Sequence, residues 1–222
     1  MKNHLIFFLF LFSISCNKRS NEVIVTPVTP DKKVCKIVPK DGLLILEAEN
    51  FSLKGSWYVR EDAKASKGKY IEYIGANNYT VPNTAHEISA KFSIDTPSTY
   101  LVRWFMRQPD GIAGDLGNDA WIYFPGDIAS ATVNGAKVTL TTFEKFVSRG
   151  VTNFIYGGYL DLHNPKASSW MTVKFPAAGE YTLKISARSQ YFQLDKLVLS
   201  SGMTDSIAHV RSTTLTETIK CE

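Results

Sequence analysis

The chain has 222 residues, 44% hydrophobic, 12% aromatic and 21% charged, with 14 Gly and 9 Pro. This excludes collagen, coiled coil and wholesale disorder, and the length fits one all-β domain with a tail. The 25 Lys and Arg against 21 Asp and Glu leave a net charge of +4, spread without basic runs, which excludes a nucleic-acid-binding surface.

The chain opens with Met1-Lys2-Asn3-His4 and an apolar run from Leu5 to Phe12. That run is shorter than the about 20 residues a membrane span needs, and has the length of a signal-peptide core. Ser13-Ile14-Ser15-Cys16 follows, which resembles the lipobox of bacterial lipoproteins. Residues 1–15 are therefore expected to be a lipoprotein signal peptide, with Cys16 lipidated. An ordinary signal peptide followed by a chance Cys is the alternative. No later segment is apolar enough to span, so the mature protein is expected to be anchored by lipid rather than inserted. That places it in the bacterial cell envelope at the outer membrane, facing periplasm or cell surface. Residues 16–41 then form a tether, which Thr26-Pro27-Val28-Thr29-Pro30 keeps extended. Cys35 and Cys221 remain as an even pair in an exported chain, which reads as one disulfide joining the ends of the domain. Two free thiols are the alternative.

From residue 42 to 200 short runs of alternating apolar residues succeed one another, bounded by turn residues. Expected strands include Leu43 to Glu49, Trp57 to Arg60, Lys69 to Ile74, Glu87 to Ile94, Tyr100 to Met106 and Ala120 to Phe124. Asn134-Gly135, set between two apolar runs, predicts a hairpin. Ser169 to Phe175, Gly179 to Ala187 and Phe192 to Leu199 complete the set. No long stretch holds a helical period. The reading is an all-β sandwich, a jelly roll, followed by a polar tail over 201–222 tied back by the disulfide.

Glu47 and Glu49 lie two apart, so on one strand their side chains would share a face about 6–7 Å apart. Such a pair suits a hard cation, a catalytic acid pair, or two solvated surface acids. Leu46-Glu47-Ala48-Glu49-Asn50-Phe51 with Ala65-Ser66-Lys67-Gly68-Lys69-Tyr70-Ile71 resembles the opening of family 6 and family 35 carbohydrate-binding modules. Their ending is similar to Ala178-Gly179-Glu180-Tyr181-Thr182-Leu183, continued through Ala187-Arg188 to Phe192-Gln193-Leu194-Asp195-Lys196-Leu197-Val198-Leu199. Pro97-Ser98-Thr99-Tyr100-Leu101-Val102-Arg103-Trp104 resembles their middle. The resemblance implies a galactose-binding-like sandwich. It also implies a structural Ca²⁺ held by Glu47, Glu49 and Asp195, with a carbonyl near Gly68 or Lys69.

For ligand recognition, the polar insert 107–121 offers Arg107, Asp115, Asn118 and Asp119 to sugar hydroxyls. Aromatic rings accept the apolar face of a pyranose, and Tyr79, Trp170 and Tyr191 border loops, with Arg188 beside the last turn. Trp104 and Trp121, mid-strand, are expected in the core. The functional expectation is a non-catalytic module that binds a polysaccharide or oligosaccharide, near polysaccharide-degrading enzymes. A jelly-roll lyase or glycosidase using His163 and Arg188 is one alternative, and an adhesion or protein-interaction module another.

Overall fold

The computed structural model describes residues 34–221 except 151–152, 164–166 and 168–169. The expected signal peptide over 1–15, the lipidated Cys16 and the tether up to residue 33 lie outside the described residues. In chain order the strands are β1 (Cys35–Ile37), β2 (Leu43–Glu47), β3 (Trp57–Glu61), β4 (Lys69–Tyr73), β5 (Glu87–Ile94), β6 (Ser98–Arg107), β7 (Asp119–Tyr123) and β8 (Ala129–Val133). They continue with β9 (Ala136–Leu140), β10 (Glu144–Val147), β11 (Ile155–Gly157), β12 (Tyr159–Leu160), β13 (Thr172–Phe175), β14 (Gly179–Ala187) and β15 (Gln193–Ser200). Helix α1 (Asp205–Ser212) precedes β16 (Ile219–Cys221).

Two antiparallel sheets face each other across the core, as the alternation predicts. One runs β12-β10-β7-β14-β5; the other runs β3-β4-β15-β6-β13-β8-β9, with β2 on β15 and β11 on β6. Between them pack Leu44, Leu46, Ile71, Ile88, Phe92, Trp104, Ile122, Phe146, Phe175 and Leu197, all at most 1% exposed. This aromatic-rich layer is the main source of stability, because burial of a large apolar side chain contributes about 1.5–3 kcal/mol. The expected hairpin forms, with Ala131 opposite Val138 and Asn134 and Gly135 both at positive φ.

The larger sheet is covered on its outer face too. Leu43 and Ile45 of β2, Phe105 of β6 and Val198 of β15 pack there against Ala208 of α1, with Phe154, Tyr156 and Met203 around them. That second cover explains why residues 43–46 of β2 and 197–199 of β15 are continuously apolar rather than alternating.

Three expectations need correction. Glu49 does not share a strand with Glu47: β2 ends at Glu47, and Ala48–Asn50 is a 3₁₀ turn closed by the Phe51 N–H on the Ala48 carbonyl. Ala48 is fully buried in that turn, so the chain bends to keep it in the core. Trp104 is core, but Trp121 sits half-buried on the outer face of the smaller sheet, its Nε1 donating to the Asn78 carbonyl at 2.9 Å. The polar tail contains a helix, capped by Thr204, whose hydroxyl accepts from the Ile207 N–H at 3.3 Å. Cys35 and Cys221 are bonded, and β1 pairs with β16 beside the bridge.

Candidate functional site

The loop between β6 and β7 is long and polar, so its shape depends on side chains that replace sheet hydrogen bonds. Gln108, 2% exposed, donates through Nε2 to the carbonyls of Leu116 at 2.7 Å and Gly114 at 3.2 Å. Its Oε1 accepts from the Gly150 N–H at 3.2 Å, tying the loop to the chain after β10. This delivers Asn118 and Asp119 to the outer face of the smaller sheet.

Asp119 is 2% exposed, and its charge is matched on several sides. Arg188 and the Ser189 hydroxyl donate to its two oxygens, and Lys145 Nζ stands 3.7 Å away. Lys145 also donates to Asp161 at 2.7 Å. Burial pushes the Asp161 carboxyl up, but the hydrogen bonds from Lys145 and the His163 N–H, with the nearby positive charge, together hold the group below its ordinary value. The Arg188 guanidinium lies 5.1 Å from the Tyr79 ring and 5.2 Å from the Trp121 ring. Tyr79, Asp119, Lys145, Asp161 and Arg188 border a cleft of about 370 Å³, lined also by Asp115, Asn118, Arg149 and Tyr159. Lys145, Arg149 and Arg188 balance Asp115, Asp119 and Asp161, so the cleft is polar without net charge. Two of its buried atoms, Asn118 Oδ1 and Arg188 Nε, have no hydrogen-bond partner among the described residues.

Five of the eight expected ligand-binding residues meet here: Tyr79, Asp115, Asn118, Asp119 and Arg188. Arg107 does not. It lies on the outer face of the other sheet, bonded to Asp62 at 2.6 Å and Gln193 at 2.9 Å, with its guanidinium 4.5 Å from the Phe154 ring. Trp170 lines a separate hollow. Tyr191 is 43% exposed at φ 64°, its N–H on the Tyr73 carbonyl, and is absent from the cleft lining. Lys145, Arg149 and Tyr159 were missed by the sequence reading. They belong to the β10–β12 segment, whose short strands carry too little alternation to show which side chains share a face. His163 has a 75% exposed side chain with Nδ1 3.4 Å from Asp161, a surface pair at the rim rather than a buried acid–base couple.

At the end of β2 lies a second cluster, of carboxylates. The register of β15 against β6 shifts between Leu194 and Lys196, and this bulge aims Asp195 and Lys196 to one side. Asp195 accepts from the Ser66 N–H at 2.8 Å, and Glu47 from the Ser66 hydroxyl at 2.9 Å. Glu217 of the tail accepts from the Glu47 N–H and from Asn50 Nδ2, both at 2.6 Å. Lys196 is 2% exposed and donates to the Leu215 carbonyl at 2.9 Å. Burial pushes the Asp195 carboxyl up to about 7, and likewise raises Glu47, Glu49 and Glu217. Burial pulls the Lys196 ammonium down, against the attraction of Glu47 and Asp195. Glu47 Oε2 and Glu49 Oε2 are buried without a hydrogen-bond partner among the described residues. With all groups ionised, Glu47, Glu49, Asp195 and Glu217 exceed Lys196 and Lys67 by two negative charges, the deficit a divalent cation supplies. As they stand, no three Asp, Glu, His or Cys side chains among the described residues are close enough to hold an ion unaided.

No family model matches the chain, and no curated protein does. Solved structures are similar to it in fold. A family 35 carbohydrate-binding module from Clostridium thermocellum matches at 16% identity and TM-score 0.42, over 71% of this chain and 98% of that one. The C-terminal family 6 module of a laminarinase from Zobellia galactanivorans matches at 14% identity and TM-score 0.40, over 72% and 99%. An exo-β-1,3-galactanase from Phanerochaete chrysosporium matches at 13% identity and TM-score 0.39, over 71% of this chain; the match spans 29% of the enzyme.

Proposed function

We propose that the protein is a non-catalytic carbohydrate-binding module, held to the envelope membrane through a lipid on Cys16, that captures polysaccharide at the Asp119 cleft. The observation that carries this reading is one charge-balanced polar cleft whose lining includes Asn118 and Arg188, each with a polar atom that has no hydrogen-bond partner among the described residues. Asn118 Oδ1 needs a donor and Arg188 Nε needs an acceptor, and a sugar hydroxyl is both. Tyr79, 42% exposed at the rim, adds an aromatic surface for the apolar face of a pyranose. The zero net charge favours a neutral glycan. The motifs over 42–200 that resemble family 6 and family 35 modules support the same reading.

The carboxylate cluster fits Ca²⁺ in donor chemistry: hard oxygens, two buried atoms without partners and two excess negative charges. Glu47, Glu49 and Asp195 would hold the ion, with Glu217 beside them and backbone carbonyls completing the shell. Its role is mechanical, tying β2 to β15.

A glycan array probed with the full chain tests the function. Binding to one class of neutral polysaccharide is expected, and is lost in Arg188→Met. Failure to bind any glycan overturns the carbohydrate-binding reading, and release of reducing or unsaturated sugar from a bound one overturns the non-catalytic reading. For the anchor, Cys16→Ala should move the protein from the detergent phase to the aqueous phase; a wild-type protein already in the aqueous phase contradicts it.

A further inference from the structure

Trp170 lies against a hollow of about 390 Å³ whose walls include Arg103, Ser148, Tyr156, Gly158 and Tyr159. Its ring centroid is 3.5 Å from the Arg103 guanidinium, yet the residue stays 48% exposed. The guanidinium beneath it uses three of its five N–H donors within the fold. Nε and Nη2 donate to the two Asp205 oxygens at 3.1 and 3.0 Å, and Nη1 donates to the Gly158 carbonyl. Tyr156 adds a third donor to Asp205 at 2.7 Å, and its ring stacks on His209 at 4.5 Å between centroids. An arginine paired in this way has its counter-charge beside it, so it offers an anion no net attraction. What it does is hold the indole flat, by a cation–π contact of the kind worth about 0.5–2 kcal/mol.

A broad aromatic ring fixed from below and turned to solvent above is a stacking platform for a pyranose. The fixed charges of Arg103 and Asp205 cancel, as those of the Asp119 cleft do. The two hollows also share a lining residue. Tyr159, 40% exposed, lines both, standing where the chain crosses from β11 in the larger sheet to β12 in the smaller. Gly158 makes that crossing at φ +99°, and a Cβ there would run into the Phe146 and Trp104 rings, so the sharp turn that presents Tyr159 needs glycine.

We propose that the Trp170 hollow is a second sugar subsite, joined to the Asp119 cleft over Tyr159, and that the ligand is an internal stretch of a pyranose chain long enough to reach both. This rests on the reading of the Asp119 cleft as a glycan site.

The test is affinity electrophoresis of the full chain in gels containing laminarin, xylan, galactomannan or β-1,3-galactan. Calorimetry with the mono-, di-, tetra- and hexasaccharide of the retarding polymer follows. Wild-type affinity should rise with chain length. Trp170→Ala should weaken hexasaccharide binding about tenfold, as loss of an aromatic anchor does, while leaving the monosaccharide unchanged. Tyr159→Ala, at a residue that lines both sites, should weaken the hexasaccharide and the monosaccharide alike. Trp170→Phe, which keeps a ring over Arg103, should retain most of the length dependence, and thermal melting of each variant checks its fold. If wild type binds and Trp170→Ala binds every length equally well, the second subsite is overturned alone. The same holds if its loss falls equally on the monosaccharide. If wild type binds none of these polymers, the glycan reading of the Asp119 cleft falls with it.

Discussion

Asp119 is a charge that its burial would make costly without partners, and Arg188, Ser189 and Lys145 supply them. The sequence reading offers Asp119 to a sugar. The structure uses its carboxylate internally instead, to fix the two cations that shape the cleft. Arg188→Met should therefore cost stability, about 3–5 kcal/mol by thermal or chemical unfolding, because a buried carboxylate loses its closest counter-ion. Asn118 behaves oppositely. Its Oδ1 is buried with no partner among the described residues, so the fold gains nothing from it. Asn118→Ala should leave the melting temperature unchanged or raised, while glycan affinity falls about tenfold, the loss of roughly one good hydrogen bond. A variant that melts lower and binds normally would show that the group serves the fold. The placement of Asn118 and Arg188 at the cleft was legible because one precedes β7 and the other follows β14, where loops gather at the ends of strands. The roles of Lys145 and Arg149 depend on which face of a four-residue strand points outward, and no periodicity that short decides it.

At the scale of elements, the long strands were legible and the short ones were not. β5, β6 and β14 alternate over eight to ten residues and were found within two residues of their ends. β11 and β12, of three and two residues, exist because β6 and β10 offer open edges, which is tertiary information. Helix α1 was hidden because only Ala208 and Ser212 are buried along it, so no apolar stripe marks it. The bulge in β15 was equally invisible, and it sets the chemistry of the carboxylate cluster. Asp195 has its folded carboxyl raised to about 7 from an ordinary 3.8, chiefly by burial. A raised folded value means that the native state keeps a proton the unfolded chain has lost. Stability from this group is full below about pH 4 and declines as pH rises towards 7. In chelator, Asp195→Asn should therefore gain on wild type in melting temperature across that interval. In excess Ca²⁺ above pH 7 the proposed site predicts the reverse order, since an ion held there would bind the ionised carboxylate and stabilise only the folded state. Parallel melting curves for the two proteins in both buffers would remove Asp195 from any cation site.

Across the whole molecule, the ends of the described chain are fastened at one place by two devices. The Cys35–Cys221 bridge closes a loop of 186 residues, and β1 pairs with β16 alongside it. The pairing of the cysteines was legible from their even number and terminal positions. Its consequence was not, because Glu217 lies beyond the region that carries the family-like motifs, and nothing in the sequence aims it at β2. Four residues before Cys221, Glu217 bonds both the Glu47 N–H and Asn50, so the tail contributes a carboxylate to the cluster. Opening the bridge should act twice. By the chain-entropy model it removes up to about 5 kcal/mol of stabilisation, less where the unfolded chain keeps structure. It should also loosen the segment that positions Glu217, and by linkage weaken any cation held there. Cys35→Ser/Cys221→Ser should thus melt lower in chelator and gain less from added Ca²⁺ than wild type. Glu217→Gln, with the bridge intact, should lose the calcium gain while keeping most of the chelated stability, because the amide oxygen still accepts one hydrogen bond. An equal calcium-induced rise in all three proteins would show that the tail takes no part in cation binding. A rise lost in the double serine variant but kept in Glu217→Gln would assign the coupling to the β1–β16 ribbon instead.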